Sequence, residues 1–508
     1  MTSQFSVDGF QSIYDQLQQS FASGKTKDLR WRKWQLKQLY WLLDENEDAL
    51  LSAMSEDLHR HPFESLSTDI AETKNEIMEM IDNVDEWAKG FAPPHAGFFF
   101  GRLGRSWIRK EPFGVALIIG AWNYPVATLL AVAVGAIGAG NAVLLKPSEL
   151  ASSTEQLLVK LVAQYMDTTA VGIISAEPAD MDHVLRSKFD FIFYTGSSRV
   201  GRIIAAAAAQ HVTPTALELG GQAPGIVTKN ANMDLTAKRL ANAKLMNLGQ
   251  VCVNVNHIFA DPEIYDELMD RLKYWMTKFY NEGYQTLGRM ITHRHYDRVH
   301  SLLESTKGTI IYSGDHARST KALHPTIVGD VTTADSLLSE ELFAPILPVI
   351  KCGLDEAIGI ISSMPTPLGL YIFSEKSAEI NHILNSTNSG GVTVNDVAVH
   401  ADVPSAPFGG VGESGYGSYH GKWGFDTFSH NRTVVHMPGS WIEYFTGWRY
   451  PPFDLKNRGE VDPPRPKFRK GETMEDQAVR KSFGQITVFL LFSSVIAGVA
   501  HCLNHWKK

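Results

Sequence analysis

Cysteine is scarce in this 508-residue chain: Cys252, Cys352 and Cys502 are the three. They are too few and too widely spaced for a disulfide framework or a zinc site, and a reducing compartment is expected. Positive charge is also in short supply. Lys and Arg total 47 against 55 Asp and Glu, a net charge of −8, so no basic face is offered to a nucleic acid. Met1 to Phe10 carry neither an apolar core nor an Arg-rich amphipathic pattern, so no cleaved leader is expected. From Ser482 to Trp506 there is no Asp, Glu, Lys or Arg, and Phe483 to Leu503 is mostly apolar, about the length that crosses a bilayer. Arg480 and Lys481 flank one end, and Trp506, Lys507 and Lys508 the other, in the manner of interfacial anchors. A buried helix of a soluble domain is usually shorter and charged on one face. The expectation is a tail anchor over 482–506 with the bulk of the chain in the cytosol. The endoplasmic reticulum is favoured as its membrane, with the mitochondrial outer membrane as the alternative.

The remaining length is too great for one core, and two or more domains are expected. Residues 1–90 read as helical from the spacing of Leu36, Leu39, Tyr40, Leu42 and Leu43, with Trp31, Trp34 and Trp41 assigned to packing. Phe98-Phe99-Phe100 lies between glycines and reads as an extended arm. From Pro112 the period changes. Val115–Ile119, Ala142–Leu145, Ala170–Ser175, Phe189–Tyr194 and Thr215–Leu219 read as strands alternating with helices, which implies a doubly wound parallel sheet. Ligands of such sheets sit at the carboxyl ends of the strands, where Asn123, Lys146, Gly196 and Glu218 fall. A second αβ series follows, ending in the Gly-rich loop Pro407–Gly417 and a late strand over Thr433–Met437. Tyr450 to Lys481 is Pro-rich and charged and reads as a linker.

Two stretches carry chemistry. Leu245–Cys252 puts a thiol just after a Gly-Gln turn, and Leu217–Gly221 puts the Glu218 carboxylate at the end of an apolar strand. A lone cysteine is more often a small buried hydrophobe than a nucleophile. A nucleophilic sulfur needs a base that can later activate water, and together the two stretches supply both. Gly196-Ser197 ends a strand and opens a helix, where backbone can approach a pyrophosphate.

Trp122-Asn123-Tyr124-Pro125, Lys146-Pro147-Ser148-Glu149, Thr195-Gly196-Ser197, Glu218-Leu219-Gly220-Gly221, Gly249-Gln250-Val251-Cys252, Glu341-Leu342-Phe343-Ala344-Pro345 and Pro407-Phe408-Gly409-Gly410 stand in the order of the aldehyde dehydrogenase superfamily, which the chain resembles over residues 10 to 445. Gly390–Asp396 and Tyr419-His420-Gly421-Lys422 resemble its class 3 branch, which includes membrane-bound fatty aldehyde dehydrogenases. The resemblance implies a Rossmann-like NAD-binding domain, a second α/β catalytic domain, a small oligomerisation arm and a homodimer. The expected division is 1–90 (helical part of the NAD-binding domain), 91–111 (arm), 112–217 (NAD-binding), 218–425 (catalytic), 426–449 (oligomerisation strand and C-terminal segment), 450–481 (linker) and 482–506 (transmembrane helix). It also implies that Cys252 attacks the aldehyde and that Glu218 activates the water that hydrolyses the thioester. The Asn123 amide and the Cys252 N–H then form an oxyanion hole. On the cofactor side Trp122, Lys146, Glu149, Gly196, Ser197, Glu341 and Phe343 are implied, with Lys146 and Glu149 at the adenosine ribose. A carboxylate there favours NAD over NADP. Departures from the branch pattern are Val253-Asn254-Val255-Asn256-His257 after the cysteine, Ala344 for Gly and Gln222 for Lys. The expected function is NAD-dependent oxidation of medium- or long-chain fatty aldehydes. The alternatives are a tethered dehydrogenase of small or aromatic aldehydes and a catalytically silent anchored scaffold.

Overall fold

The computed structural model describes residues 5–282, 288–462 and 469–476. The strands in chain order are β1 (Trp107–Pro112), β2 (Val115–Ile119), β3 (Ala142–Lys146), β4 (Val171–Ile173), β5 (Phe191–Thr195), β6 (Thr215–Glu218) and β7 (Pro224–Val227). They continue with β8 (His257–Ala260), β9 (Thr309–Ser313), β10 (Thr326–Gly329), β11 (Ile346–Lys351), β12 (Gly369–Phe373), β13 (Gly391–Val394), β14 (Gly415–Tyr416) and β15 (Ser429–Val434). One sheet runs β14-β6-β5-β2-β3-β4, parallel except for the short β14. A second runs β13-β12-β7-β8-β11-β10-β9, parallel except for β9. A separate antiparallel ribbon pairs β1 with β15, from Trp107 opposite Val434 to Pro112 opposite Ser429.

The doubly wound expectation is met because the central strands are buried on both faces. All five residues of β2 and of β3 are buried, as a parallel strand covered by helices on each side requires. The helix Val132–Ala139 has no polar face at all and is buried along its whole length. It stops at Gly140, whose φ of +97° suits only glycine and whose N–H satisfies the Ala136 and Ile137 carbonyls. The chain divides into two compact units, Met1–His436 and Met437 onward. The second consists, where described, of short helical turns such as Glu443–Thr446 and Arg458–Val461.

Several local expectations are corrected. Gly97–Leu103 is helical rather than an extended arm, closed where Gly104 N–H and Ser106 Oγ donate to the Phe99 and Phe100 carbonyls. The late strand is Ser429–Val434, not Thr433–Met437, since pairing with β1 sets its limits. Only Trp31 of the tryptophan set packs in the core, its Nε1 donating to Asp167 at 2.9 Å; Trp34 and Trp41 are about half exposed, at 49% and 47%. No helix among the described residues is long and apolar enough to cross a membrane. The expected anchor at 482–506 lies outside the described residues.

Candidate active site

Four neighbouring strands of the first sheet deliver the first group of side chains. Lys146 ends β3, Glu218 ends β6, and the turns after β2 and β5 hold Asn123 and Gly196. Register places Ile119 beside Lys146 and Tyr194, and Thr195 beside Glu218, so the four ends lie along one edge. Gly196 N–H donates to the Glu218 carbonyl at 3.0 Å.

Lys146 is buried and ion-paired with Glu149. Ser197 caps the helix Ser198–Ala209, its Oγ accepting from Val200 N–H at 3.4 Å. A side chain at Gly196 would overlap the Tyr194 hydroxyl, so the backbone there stays bare above the helix N-terminus. An ammonium, a carboxylate and a helix start with a bare glycine form a donor and acceptor set that fits a ribose and a pyrophosphate.

The thiol sits on an unusual turn. Asn247, Leu248 and Gly249 have φ of 44°, 54° and 73°, three successive left-handed residues. Two of them are not glycine, and such backbone persists only where the surroundings over-determine it. Those surroundings are polar and buried. Asn247 Nδ2 donates to the Asn123 and Gln250 carbonyls at 2.9 and 3.2 Å, and Glu64 Oε1 accepts from Asn247 N–H at 2.6 Å. Gln250 Nε2 donates to the Arg289 carbonyl at 3.0 Å, and its Oε1 accepts from Ile291 N–H at 3.0 Å.

Asn123 is held by the same network. Its Nδ2 donates to the Gln250 carbonyl at 3.1 Å, two residues before the cysteine, while Arg60 donates to its carbonyl at 3.1 Å. Arg60 pairs with Asp69, and Asp69 also accepts from Val126 and Ala127 N–H at 3.0 and 2.8 Å. Both ions are essentially sealed from solvent. Removing one would leave the other charge buried and unpaired, so Asp69→Ala is expected to cost about 3–5 kcal/mol, read as a shift in the urea unfolding midpoint.

Cys252 is half-buried and opens into a cavity. Glu218 and Leu219 line the same cavity, with Tyr124, Phe408, Tyr419 and His420 among the other walls. Burial pushes the Cys252 thiol up to about 12, helped by the Glu341 and Glu218 carboxylates; the N–H groups of Val253 and Cys252 oppose this. Glu218 is 3% exposed, and neither of its carboxyl oxygens has a hydrogen-bond partner among the described residues. Burial alone drives its carboxyl well above the ordinary range. The Gly-rich loop lies directly on it: β14 pairs Gly415 with Glu218, and a side chain at Gly409 would press on Glu218 Oε1 at 3.1 Å.

Glu341 packs against Gly220, where any Cβ would overlap its carboxylate, and it accepts from Gly221 N–H. Burial raises it to about 7, opposed by that bond and by Arg298 and Lys244. Phe343 has φ of 52° and sets its ring edge-on to Trp122, with centroids 5.4 Å apart.

The structure therefore gathers Lys146, Glu149, Gly196 and Ser197 at one end, Cys252 and Glu218 in one cavity, and Glu341, Phe343 and Trp122 beside them. Asn123 lies against the cysteine turn, but its amide faces the Gln250 carbonyl and does not line the cavity. Sequence reasoning missed Thr68 and Glu72 on the cavity wall and the Arg60–Asp69 pair beneath Asn123. Their only sequence signal is that they are polar residues at helix positions that turn inward. Tyr419 and His420 had been singled out only as part of a resemblance; the structure puts both on the cavity wall.

Residues 11–434 match the model of the aldehyde dehydrogenase family, and the chain belongs to that family. It is an aldehyde-oxidising enzyme of a family that works with NAD or NADP. The mouse (Mus musculus) protein "Aldehyde dehydrogenase, dimeric NADP-preferring" is 40% identical over 449 residues, which is 88% of this chain and 98% of the relative. Mouse "Aldehyde dehydrogenase family 3 member A2" is 39% identical over 86% of this chain and 90% of its own length. Among solved structures, Staphylococcus aureus AldH in a substrate-bound state superposes with a TM-score of 0.81. It is 32% identical over 87% of this chain and 99% of that one.

Proposed function

We propose that this enzyme uses NAD to oxidise medium- and long-chain fatty aldehydes to fatty acids. The observation that carries the reading is that Cys252 and Glu218, whose carboxyl has no partner among the described residues, line one largely apolar cavity, walled by Leu219, Val251, Val253, Leu368 and Phe408. In this reading Cys252 Sγ adds to the carbonyl carbon as its thiolate and gives a thiohemiacetal. The thiol proton is lost to solvent as the thiolate forms, which leaves Glu218 as the base of the second half-reaction. The Cys252 N–H stabilises the alkoxide, joined by the Asn123 amide once it turns from the Gln250 carbonyl toward the cavity. Nicotinamide cofactor, when bound, supplies the hydride acceptor. Glu218 then removes a proton from the water that opens the Cys252 thioester, releasing the acid and the thiol.

Lys146, Glu149, Gly196 and Ser197 hold the adenosine and pyrophosphate portion, and Glu341, Phe343 and Trp122 the nicotinamide end. Glu149 beside Lys146 disfavours a 2′-phosphate, which is why NAD is preferred in this reading although one mouse relative is named NADP-preferring. Residues 112–217 serve the cofactor and 218–425 the substrate. The β1–β15 ribbon is the candidate dimer contact, consistent with the word "dimeric" in that relative's name. The 482–506 segment anchors the enzyme to the endoplasmic reticulum, with the catalytic part in the cytosol. An anchor concentrates the enzyme where a lipid-soluble substrate resides.

The test is NADH formation by detergent-solubilised protein against saturated aldehydes of rising chain length. kcat/KM should climb toward long chains, by a few-fold for each added methylene that reaches apolar wall, about 0.8 kcal/mol apiece. Preference for short or benzylic aldehydes would favour the second reading, which the rings of Tyr124, Phe408 and Tyr419 on the cavity support. No turnover of any aldehyde with either cofactor would leave the anchored scaffold.

A further inference from the structure

Lys244 is a buried cation that the reaction scheme leaves idle. It stands on the helix Met233–Leu245, eight positions before Cys252, with its residue only 1% exposed. Its Nζ donates to the Ala344 carbonyl at 3.2 Å. The same carbonyl presses on Gly249, where any Cβ would overlap it, so the cysteine turn and the Glu341–Ala344 turn meet at one oxygen. Asn256 grips the second turn from below, its Oδ1 accepting from Leu342 N–H at 2.9 Å. Arg298 holds the far side, donating to the Glu341 and Leu342 carbonyls at 3.2 and 2.7 Å. Beside Asn256 is His257, fully buried, its Nε2 without a partner among the described residues and its Nδ1 3.3 Å from Asn256 Nδ2.

Keeping an ammonium there is costly. Burial pulls Lys244 down to about 7, with the Glu341 charge opposing, and burial together with Lys244 pulls His257 down to about 3. An apolar side chain of the same length would fill the space with less desolvation. What an apolar chain could not do is donate to the Ala344 carbonyl and place a positive charge within reach of the Glu341 carboxylate.

We propose that Lys244 and Asn256 are positioning residues that lock the Glu341–Ala344 turn onto the cysteine turn and so fix the Glu341 carboxylate relative to the Cys252 sulfur. This rests on the reading of Cys252 as nucleophile and Glu341 as a ribose-binding carboxylate. Neither residue touches the reacting atoms. Their effect is on where Glu341 and Phe343 stand when the cofactor binds.

Lys244→Met, Asn256→Leu and Asn256→Asp, with Glu341→Gln alongside, test this in the full-length detergent-solubilised enzyme. Three quantities are read: backbone hydrogen exchange of the segment 338–346, NAD affinity from quenching of tryptophan fluorescence, and the melting temperature. Lys244→Met and Asn256→Leu should each speed exchange in that segment and weaken NAD about tenfold, the scale of a small misplacement of a binding group. Lys244→Met should not lower the melting temperature, which a purely structural lysine would. Asn256→Asp, which keeps the acceptor oxygen, should restore exchange and affinity. Unchanged exchange at 338–346 in both variants overturns the proposal. Faster exchange with unchanged NAD affinity also overturns it if Glu341→Gln weakens NAD. If Glu341→Gln is equally silent, the reading of Glu341 falls, and the positioning role with it.

Discussion

Cys252→Ser is expected to lower kcat/KM for aldehyde oxidation by about four orders of magnitude or more while leaving NAD affinity and melting temperature nearly unchanged. A serine hydroxyl fits the space but does not ionise there. The thiol itself ionises reluctantly, since burial, then Glu341 and Glu218, hold it near 12. The sign of the pH effect follows. With its value raised above the ordinary thiol range, the thiolate fraction grows about tenfold for each pH unit below it. Alkylation of Cys252 by iodoacetamide should therefore quicken by about three orders of magnitude between pH 7 and pH 10. Peptide mapping identifies the labelled residue. Cys352 is the other described thiol, 6% exposed in the core of the second sheet, and burial holds it near 12 as well. A serine variant that keeps more than about one hundredth of the activity would move the nucleophile elsewhere and overturn the scheme.

The cysteine and the glutamate were legible in sequence because each sits on a local signal: a Gly-Gln turn for Cys252, and a strand running into two glycines for Glu218. Lys146 and Gly196 were legible for the same reason, as strand ends of a parallel sheet. What escaped is set by distance along the chain. Asp69 reaches Val126 and Ala127 from 57 and 58 positions away, and nothing near it in sequence marks it as a partner of that turn. The strand β7 begins Pro224-Gly225, which reads locally as a turn. It is extended because β8 and β12 flank it on both sides, and Pro as the first strand residue loses no interior ladder bond. Gly97–Leu103 reads as an arm because three phenylalanines between glycines show no period, and only the carbonyls capped by Gly104 and Ser106 make it a helical turn. Asn123 shows the limit of a resemblance. The residue type and position match the family's motif, but its amide is turned to the Gln250 carbonyl and does not line the cavity.

Glu218→Gln separates catalysis from stability more sharply than any other change. In the wild type, both carboxyl oxygens are buried without a partner among the described residues, and burial alone raises the acid well above its usual value of 4.5. A raised acid binds its proton more tightly in the folded chain than in the unfolded one. Its contribution to stability is therefore neutral below about 4.5 and becomes increasingly unfavourable as pH rises toward the folded value. Glutamine has no charge to desolvate. The variant is expected to melt a few degrees higher than wild type at pH 8, with the gap narrowing as pH falls toward 4.5 and closing below it, where the wild-type acid is protonated in both states. Turnover should fall by about three orders of magnitude, on the scale of losing a general base. The loss should fall on hydrolysis of the Cys252 acyl group, so a stoichiometric burst of NADH should precede a slow steady state, and intact-protein mass should show the acyl adduct. Higher melting with full turnover would leave Glu218 a buried acid and put the base elsewhere. Lost turnover with no burst would place its role at or before the thiohemiacetal, as the group that takes the thiol proton.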